Sequence, residues 1–132
     1  MAAGNYSFTI EQGATTDFEV QWSDANGTAM NLTGYVAKME IRSAPGGTLY
    51  TQLSSSLSAV PAKASGSKLI SLSGSAHTSA LSAGKIGVYL GHDITSGLSF
   101  TDAYYDIEMT NGQNRERLLQ GRVKLNKEVT VY

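Results

Sequence analysis

Residues 32–42, Leu-Thr-Gly-Tyr-Val-Ala-Lys-Met-Glu-Ile-Arg, constrain the fold more than any other part of the chain. A glycine marks a turn, and the residues after it alternate strictly between two sides. One side carries Tyr35, Ala37, Met39 and Ile41, and the other carries Val36, Lys38, Glu40 and Arg42. Because side chains in a strand point alternately to opposite faces, this pattern predicts a strand with one buried and one solvated face.

The same alternation recurs along the chain and predicts further strands near residues 6–10, 18–22, 48–53, 68–73, 85–91, 104–109 and 118–125. Turn signals separate these segments, among them the Asn-Gly pairs at 26–27 and 111–112 and the glycines after Pro45. With Trp22 in the core, the spacing favours a sandwich over a barrel. We therefore predict an all-β, immunoglobulin-like antiparallel β-sandwich of about 7–9 short strands with one short helical turn.

Two connections and the end of the chain complete this prediction. Residues 54–67 and 92–101 are expected to be loops, and Ser75 is expected to cap a helical turn over residues 76–83 that ends at Gly84. In the last strong strand, the alternation predicts inward Leu119, Gly121, Val123 and Leu125, and outward Leu118, Gln120, Arg122 and Lys124. The tail with Val129 and Val131 is predicted to add an edge strand.

Composition limits the classes of protein that remain. The 132 residues are expected to form a single domain, and the net charge of −1 gives no electrostatic footprint for nucleic acid or anionic lipid. Cysteine is absent, which excludes disulfides and thiolate chemistry. We expect neither a secretory signal nor a membrane helix, because no suitable apolar run is present. The low charged fraction, 16%, fits either a surface covered by partners or a plain polar β-surface.

Candidate chemical groups are few and form no known motif. The two histidines, His77 and His92, are far apart, and His92 has only Asp93 beside it. The acidic pairs Asp17/Glu19 and Asp106/Glu108 fit solvated strand faces, and the Asp24-Ala25-Asn26-Gly27 segment fits a tight turn better than a calcium loop. We therefore predict no catalytic, cofactor-binding or metal-binding residue, no cofactor and no enzymatic activity.

Surface features instead indicate interactions with other proteins. Basic residues are concentrated near the C-terminus, Tyr104 lies on the polar side of its strand, and both ends of the chain are short segments that can add to a neighbour's sheet. Residues 1–5 and 127–132 are accordingly predicted to be assembly arms, ordered only in an assembly. The predicted interface residues are Asn5, Tyr104, Arg115, Arg117, Arg122, Val129, Val131 and Tyr132.

Four sequence blocks, in order, carry a resemblance to a known group of proteins. They are Tyr6-x-Phe8-x-Ile10-x-Gln12-Gly13-Ala14-Thr15, Trp22-x-Asp24-x-x-Gly27, Leu32-Thr33-Gly34-Tyr35-x-Ala37-x-Met39-x-Ile41-Arg42 and Leu118-Leu119-x-Gly121-x-Val123. The chain resembles the small β-sandwich proteins encoded among the tail genes of tailed bacteriophages. It is more distantly similar to the N-terminal domain of siphophage baseplate upper proteins. The blocks cover the first third of the chain and the C-terminal hairpin.

The resemblance implies a virion structural protein, assembled in the cytoplasm of the bacterial host. The expected role is a tail or baseplate adaptor that mounts fibres or neighbouring tail proteins. Its partners would be other tail, baseplate or capsid subunits and further copies of itself, with no nucleic acid and no membrane. Two alternatives stay open: a capsid decoration protein, and, from another class, a carbohydrate-binding module for host-surface glycans that uses Tyr104 and Tyr105.

Overall fold

The computed structural model describes residues 4–55, 63–74 and 79–130. This part of the chain contains nine strands, within the predicted number. The strands are β1 (Gly4–Asn5), β2 (Phe8–Glu11), β3 (Thr16–Gln21), β4 (Val36–Arg42), β5 (Leu49–Ser54), β6 (Lys68–Ser71), β7 (Lys85–Leu90), β8 (Asp102–Thr110) and β9 (Arg115–Asn126).

Two sheets pack against each other and confirm the predicted all-β sandwich. The large sheet has the order β1-β9-β8-β4-β5, with β2 also pairing with β9, and the small sheet has the order β3-β7-β6. The strand set β9-β8-β4-β5 opposite β3-β7-β6 corresponds to the two sheets of an immunoglobulin-like sandwich. Neighbouring strands mostly pair antiparallel, as expected, whereas β1 and β2 run parallel to β9.

The core lies between the two sheets and contains the inward residues that the alternation predicted. In β4 and β8, every second side chain is buried, and the residues between them face outward. Trp22, directly after β3, is buried and packs edge-on against Tyr35, with ring centroids 5.4 Å apart. The largest fully buried side chains come from both sheets and, in the case of Leu32, from the connection between β3 and β4: Ile10, Leu32, Met39, Ile41, Leu53, Ile70, Ile86, Leu90, Ile107 and Met109.

The predicted alternation of the last strand is wrong at Leu118. A β-bulge shifts the register there, because Ile107 of β8 lies opposite Leu119 while the next residue, Glu108, lies opposite Arg117. Leu118 is therefore the extra residue, and it is half-buried against the core instead of facing solvent. A bulge inserts one extra residue and so shifts the alternation by one. The outward residues of β9 are therefore odd-numbered before Leu118 and even-numbered after it.

The helical content also differs from the prediction. Within residues 76–83, the structure describes a 3₁₀ turn over Leu81–Ala83 that ends at Gly84, whose φ of 66° favours glycine. Ser75 and residues 76–78 lie outside the described residues. The segment 92–101, predicted as a loop, begins with a one-turn helix, α1 (His92–Ser96). Thr95 of α1 is buried and bonds to the carbonyl of Ala14, so a tertiary contact holds this turn in place.

The two ends of the chain differ from each other. Gly4 and Asn5 pair with Leu119 and Gln120 of the same chain, so this part of the predicted N-terminal arm already belongs to a sheet. The last strand ends at Asn126, and Val129 lies outside any strand with 98% of its surface exposed, so the prediction of an edge strand is wrong at Val129. Val131 and Tyr132 lie outside the described residues. Within the described ranges, no helix has the length and apolar character to span a membrane.

Candidate functional site

The side of the large sheet that faces away from the core forms a broad concave surface, which we call the outer face. It surrounds a depression of about 1090 Å³ that extends from Asn5 beside β9 to Ser54 of β5. The outer face is defined by the outward side chains of three neighbouring strands, namely Val36, Lys38, Glu40 and Arg42 of β4, Asp102, Tyr104, Asp106, Glu108 and Thr110 of β8, and Arg115, Arg117, Gln120, Arg122 and Lys124 of β9.

Register places these side chains in rows that cross the sheet. In one row, Arg42, Tyr104 and Arg122 are direct neighbours on β4, β8 and β9. The next row contains Glu40, Asp106 and Gln120, and Asn5 of β1 lies beside Gln120. The row after that contains Lys38, Glu108 and Arg117, and the row at this end contains Val36, Thr110 and Arg115. At the opposite end, Asp102 and Lys124 form a further row. Side chains of one row are close enough to interact across strands.

Glu40 organises the β4 side of the outer face. Its carboxylate accepts a 2.9 Å hydrogen bond from the Nε of Arg42, and the Nζ of Lys38 lies 3.6 Å from its other oxygen. The bond from Arg42 is the main reason why the pKa of Glu40 lies below its usual value; burial opposes it, and the positive charges of Arg42 and Lys38 add to it. Arg42 is held further by a 2.8 Å bond from its guanidinium to the carbonyl of Gly47.

Arg117 is the residue that connects the polar side chains of β8 and β9 on the outer face. Its guanidinium lies 3.3 Å from Asp106 and 4.0 Å from Glu108, and it donates to the side-chain oxygen of Gln120 at 3.2 Å. Burial, followed by repulsion from Glu108, raises the pKa of Asp106, while the positive charge of Arg117 opposes the rise. Arg117 therefore offsets part of the repulsion between two acidic side chains that stand on the same strand.

Two other basic residues of β9 have different surroundings. The guanidinium of Arg122 lies over the ring of Tyr104, 5.2 Å from its centroid, a geometry that allows a cation–π interaction. Arg115 stands at the end of β9 opposite Thr110, in a row without an acidic residue. Within the described ranges, neither guanidinium forms an ion pair with a carboxylate. Both charges are thus available to a partner.

The corresponding face of the small sheet is covered along β6 and β7. Tyr89 and Leu69 lie opposite each other on β7 and β6 and point away from the core, yet their exposed fractions are only 8% and 3%. The Tyr89 hydroxyl donates to the carbonyl of Ala64, and Lys63 forms an ion pair with Asp17 at 2.8 Å. The segment around residues 63–67, which we call the covering segment, therefore removes the β6–β7 part of this face from solvent, whereas the outward side chains of β3 (Asp17, Glu19 and Gln21) stay exposed.

A separate contact fixes the N-terminal strand beside the outer face. The hydroxyl of Tyr105 donates a 2.5 Å hydrogen bond to the carbonyl of Tyr6, and the amide of Tyr6 bonds to the carbonyl of Gln120. Burial raises the pKa of Tyr105, so its hydroxyl stays protonated and remains a donor. A side chain at Gly121 would collide with the Tyr6 carbonyl, which explains why glycine occupies this core-facing position of β9.

The structure brings most of the predicted interface residues together. Asn5, Tyr104, Arg115, Arg117 and Arg122 all lie on or beside the outer face, although they come from both ends of the chain. Val129 does not line the depression and lies after the last strand. Sequence reasoning missed Lys38, Glu40 and Arg42 as parts of the same surface. The alternation in residues 32–42 correctly indicated that these side chains point outward. The sequence did not indicate that β4 pairs with β8, which brings them onto the same surface as Tyr104.

The other candidate groups have ordinary structural surroundings. His92 lies 3.3 Å from Asp93, and both side chains are exposed on the short helix α1. The Asp24 carboxylate accepts bonds from the amides of Asn26 and Thr28, as expected for a turn. Among residues 4–55, 63–74 and 79–130, no three or more His, Asp or Glu side chains are placed to hold a metal ion. His77 lies outside the described residues.

Comparison with known protein families and with curated proteins gives no match. The resemblance to phage tail proteins therefore depends on the four sequence blocks, and the structure places several of their residues in turns. Gly13 has a φ of 82°, and Gln12 bonds to the carbonyl of Leu98 and the amide of Glu128. Gly34 has the same φ in the turn before β4. These residues shape the turns of the fold, whereas the outer face consists largely of other residues.

Proposed function

We propose that the chain is a structural protein of a tailed-bacteriophage virion, an adaptor subunit of the tail or baseplate that holds fibres or neighbouring tail proteins. It acts by binding and carries out no catalysis. It is assembled in multiple copies in the bacterial host and stays in the particle. The virion part of this proposal depends on the resemblance of the four sequence blocks, and the adaptor part depends on the outer face.

One observation carries the adaptor role: the two outer surfaces differ in exposure, since the small sheet is exposed only along β3 and the large sheet is open across several strands. The small sheet buries Tyr89 and Leu69 on its outer side, while the large sheet leaves a depression of about 1090 Å³ open. Its floor is a regular array of outward side chains, in which ion pairs fix Glu40, Arg42 and Arg117 in place. A surface that is preorganised and open favours association with a partner, because fewer side chains lose freedom on binding.

The alternative of a glycan-binding module has weaker geometric support. Tyr104 is 40% exposed and lies on the outer face, but the guanidinium of Arg122 already covers one side of its ring. Tyr105, the second aromatic residue of that alternative, is buried and bonded to Tyr6. A sugar-binding platform needs an uncovered aromatic face. The outer face therefore favours a protein partner.

Immunogold electron microscopy tests the proposal. Particles of the phage that encodes the chain are purified, and antibodies against the chain are applied to intact particles and to particles with dissociated tails. We expect label at the tail or the baseplate, in several copies per particle. Label at the capsid surface would support the decoration protein instead, and absence of the chain from purified particles would reject a virion role.

A further inference from the structure

The β-bulge at Leu118 creates a feature that the linear sequence hides. Arg115 and Arg117 are separated by an even number of positions from Leu119 and Val123, which face the core. In a regular strand, both arginines would also face the core. The extra residue reverses the alternation, so both arginines join the outward residues beyond the bulge. Bulges often reorient side chains at functional sites in this manner.

The result is a basic column along the whole of β9. Its members are Arg115, Arg117, Arg122 and Lys124, with Gln120 as the neutral member between them, and no acidic residue of β9 interrupts it on this face. Alternate residues of a strand are about 7 Å apart, since each residue advances about 3.3 Å. Except at Gln120, the column therefore presents positive charge at the spacing of every second residue in an extended chain.

Charge is distributed unevenly between this surface and the rest of the protein. The outer face carries six basic residues (Lys38, Arg42, Arg115, Arg117, Arg122 and Lys124) and four acidic ones (Glu40, Asp102, Asp106 and Glu108), a net charge of +2. The whole chain has a net charge of −1, which leaves −3 for all other surfaces. The net formal charge of the outer face is thus opposite in sign to that of the remaining molecule.

Most acidic residues of the outer face form ion pairs with basic residues of the same face. Glu40 is paired with Arg42 and Lys38, and Asp106 and Glu108 share Arg117. Arg122 contacts an aromatic ring, and Arg115 has no carboxylate neighbour in its row. The positive charges of the basic column without a carboxylate in their row are therefore those of Arg115 and Arg122, whereas Lys124 lies opposite Asp102. Guanidinium groups bind carboxylates through paired hydrogen bonds, which suits acidic side chains at matching positions.

We infer that the basic column of β9 binds an extended acidic segment of a partner protein, with Asp or Glu at alternate positions. The segment lies on the outer face and is recognised by side chains. From Leu119 to Asn126, the edge of β9 is taken by β1 and β2, so backbone pairing of the segment with this part of the strand is unavailable. The inference deepens the proposed function and rests on it, since an adaptor of the tail needs a contact to a neighbouring protein.

A labelled eight-residue peptide of alternating Glu and Thr is the probe for this inference. Fluorescence anisotropy measures its binding to the full chain, and NMR chemical shifts locate it. We expect shifts confined to β8 and β9, and affinity that falls from roughly 50 mM to roughly 300 mM salt, because the ion pairs are exposed. A Lys–Thr peptide of the same length serves as the reversed-charge ligand and should not bind.

Two double variants separate the basic column from total charge. Arg115→Gln with Arg122→Gln removes two charges from the column and should weaken binding of the Glu–Thr peptide roughly tenfold or more. Lys68→Gln with Lys85→Gln removes two charges from the small sheet and should change the affinity less than about twofold. A charge-reversed variant, Arg115→Glu with Arg122→Glu, should bind the Lys–Thr peptide instead. Circular dichroism and thermal unfolding verify that each variant is folded.

Several outcomes would overturn the inference. Absence of peptide binding to the folded chain is one, and equal weakening by both Gln double variants is another. Tighter binding of a sulfated oligosaccharide or of single-stranded DNA would assign the column to a different anion. Self-association that disappears in the Arg115/Arg122 variant would assign it to a second copy. If the chain lies in the tail but binds no peptide, only this inference fails; if it binds the peptide but is absent from particles, only the proposed function fails.

Discussion

The outer sides of the two sheets differ more than their inner sides do. On the inner side, both sheets contribute fully buried aliphatic residues to one core. On the outer side, β7 of the small sheet buries Gly87 and Tyr89 as well, while β8 of the large sheet leaves Tyr104 exposed. The covering segment therefore closes the β6–β7 part of the small sheet, while the outward side of β3 and the outer face of the large sheet stay accessible to partners.

The largest expected effect concerns the two outward tyrosines, which are matched in type and differ in burial. Tyr89→Ala removes a ring that is 8% exposed and a hydroxyl that bonds to Ala64, and we expect the free energy of unfolding to fall by about 3 kcal/mol. Tyr104→Ala removes a ring that is 40% exposed and should lower it by less than about 1 kcal/mol. Urea unfolding measures both values, and similar losses would contradict the comparison.

The second prediction concerns the contact between β7 and the covering segment. Gly91 follows β7 with a φ of −67°, which alanine can adopt, so the backbone itself allows the substitution. A Cβ at this position would nevertheless collide with the carbonyl oxygens of Ala64 and Ser65. We expect Gly91→Ala to lower the free energy of unfolding by about 2 kcal/mol, as measured by urea unfolding, because the covering segment must shift.

Gly66→Ala is the control for this displacement. Gly66 belongs to the same segment, but a Cβ there meets nothing within 4 Å. The free energy of unfolding of the Gly66→Ala variant should differ from that of the original chain by less than about 0.5 kcal/mol. Hydrogen exchange adds a local measurement, since the amide of Gly91 bonds to the carbonyl of Ser67 and should exchange faster in Gly91→Ala. Unchanged exchange would show that the segment does not depend on this close approach.

The ion pairs of the outer face should stabilise the fold only slightly. Arg117 contacts Asp106 and Glu108, but 52% of its side chain is exposed. Exposed pairs are screened by water and typically contribute up to about 1 kcal/mol. We therefore expect Arg117→Gln to lower the free energy of unfolding by less than about 1 kcal/mol. Thermal unfolding at low and high salt measures this; a loss as large as that of Tyr89→Ala would show that the outer face is structural.

The smallest effects are shifts of carboxyl titration, which NMR can follow one residue at a time. Glu40 should titrate below its usual pKa, and Arg42→Gln should raise that pKa by removing its hydrogen-bond donor. Asp106 should titrate above its usual pKa, and Arg117→Gln should raise that pKa further by removing a positive charge. Unchanged titration of Glu40 and Asp106 in these variants would contradict the described pairs.

The same shifts determine how stability depends on pH, with opposite signs for the two residues. The lowered pKa of Glu40 contributes stability above its usual pKa, and this contribution is lost as the pH falls through the folded-state value. The raised pKa of Asp106 contributes stability at pH values below its usual pKa, and this contribution is lost as the pH rises through the folded-state value. The two dependences therefore oppose each other in the acidic range.

Much of the fold could be predicted from the sequence, because local patterns carry it. The alternation in β4 and β8 gave the inward residues of the large sheet correctly, and Gly84 was correctly predicted to end a helical turn. The helix α1 was missed, since it is one turn long and depends on the bond between Thr95 and Ala14. No local pattern encodes such a contact between residues that are far apart in sequence.

The candidate site was predicted only in part. Asn5, Tyr104, Arg115, Arg117 and Arg122 were singled out for separate reasons, and the structure places them on or beside one surface. The missing signal was the bulge at Leu118, because a strict alternation assigns Arg115 and Arg117 to the core. Placing a charged side chain in the core is unfavourable, and an extra residue in the strand avoids it.

The sequence by itself determined which side of β4 and of β8 is apolar, because the period of two is a property of the backbone and needs no tertiary contact. Tertiary structure decided which outward sides stay open. The run of β7, Lys-Ile-Gly-Val-Tyr-Leu, is covered by a segment from elsewhere in the chain, and the basic column of β9 exists because the pairing with β8 shifts at Leu118. Both results depend on contacts between distant segments, whose free energies no single stretch of sequence contains.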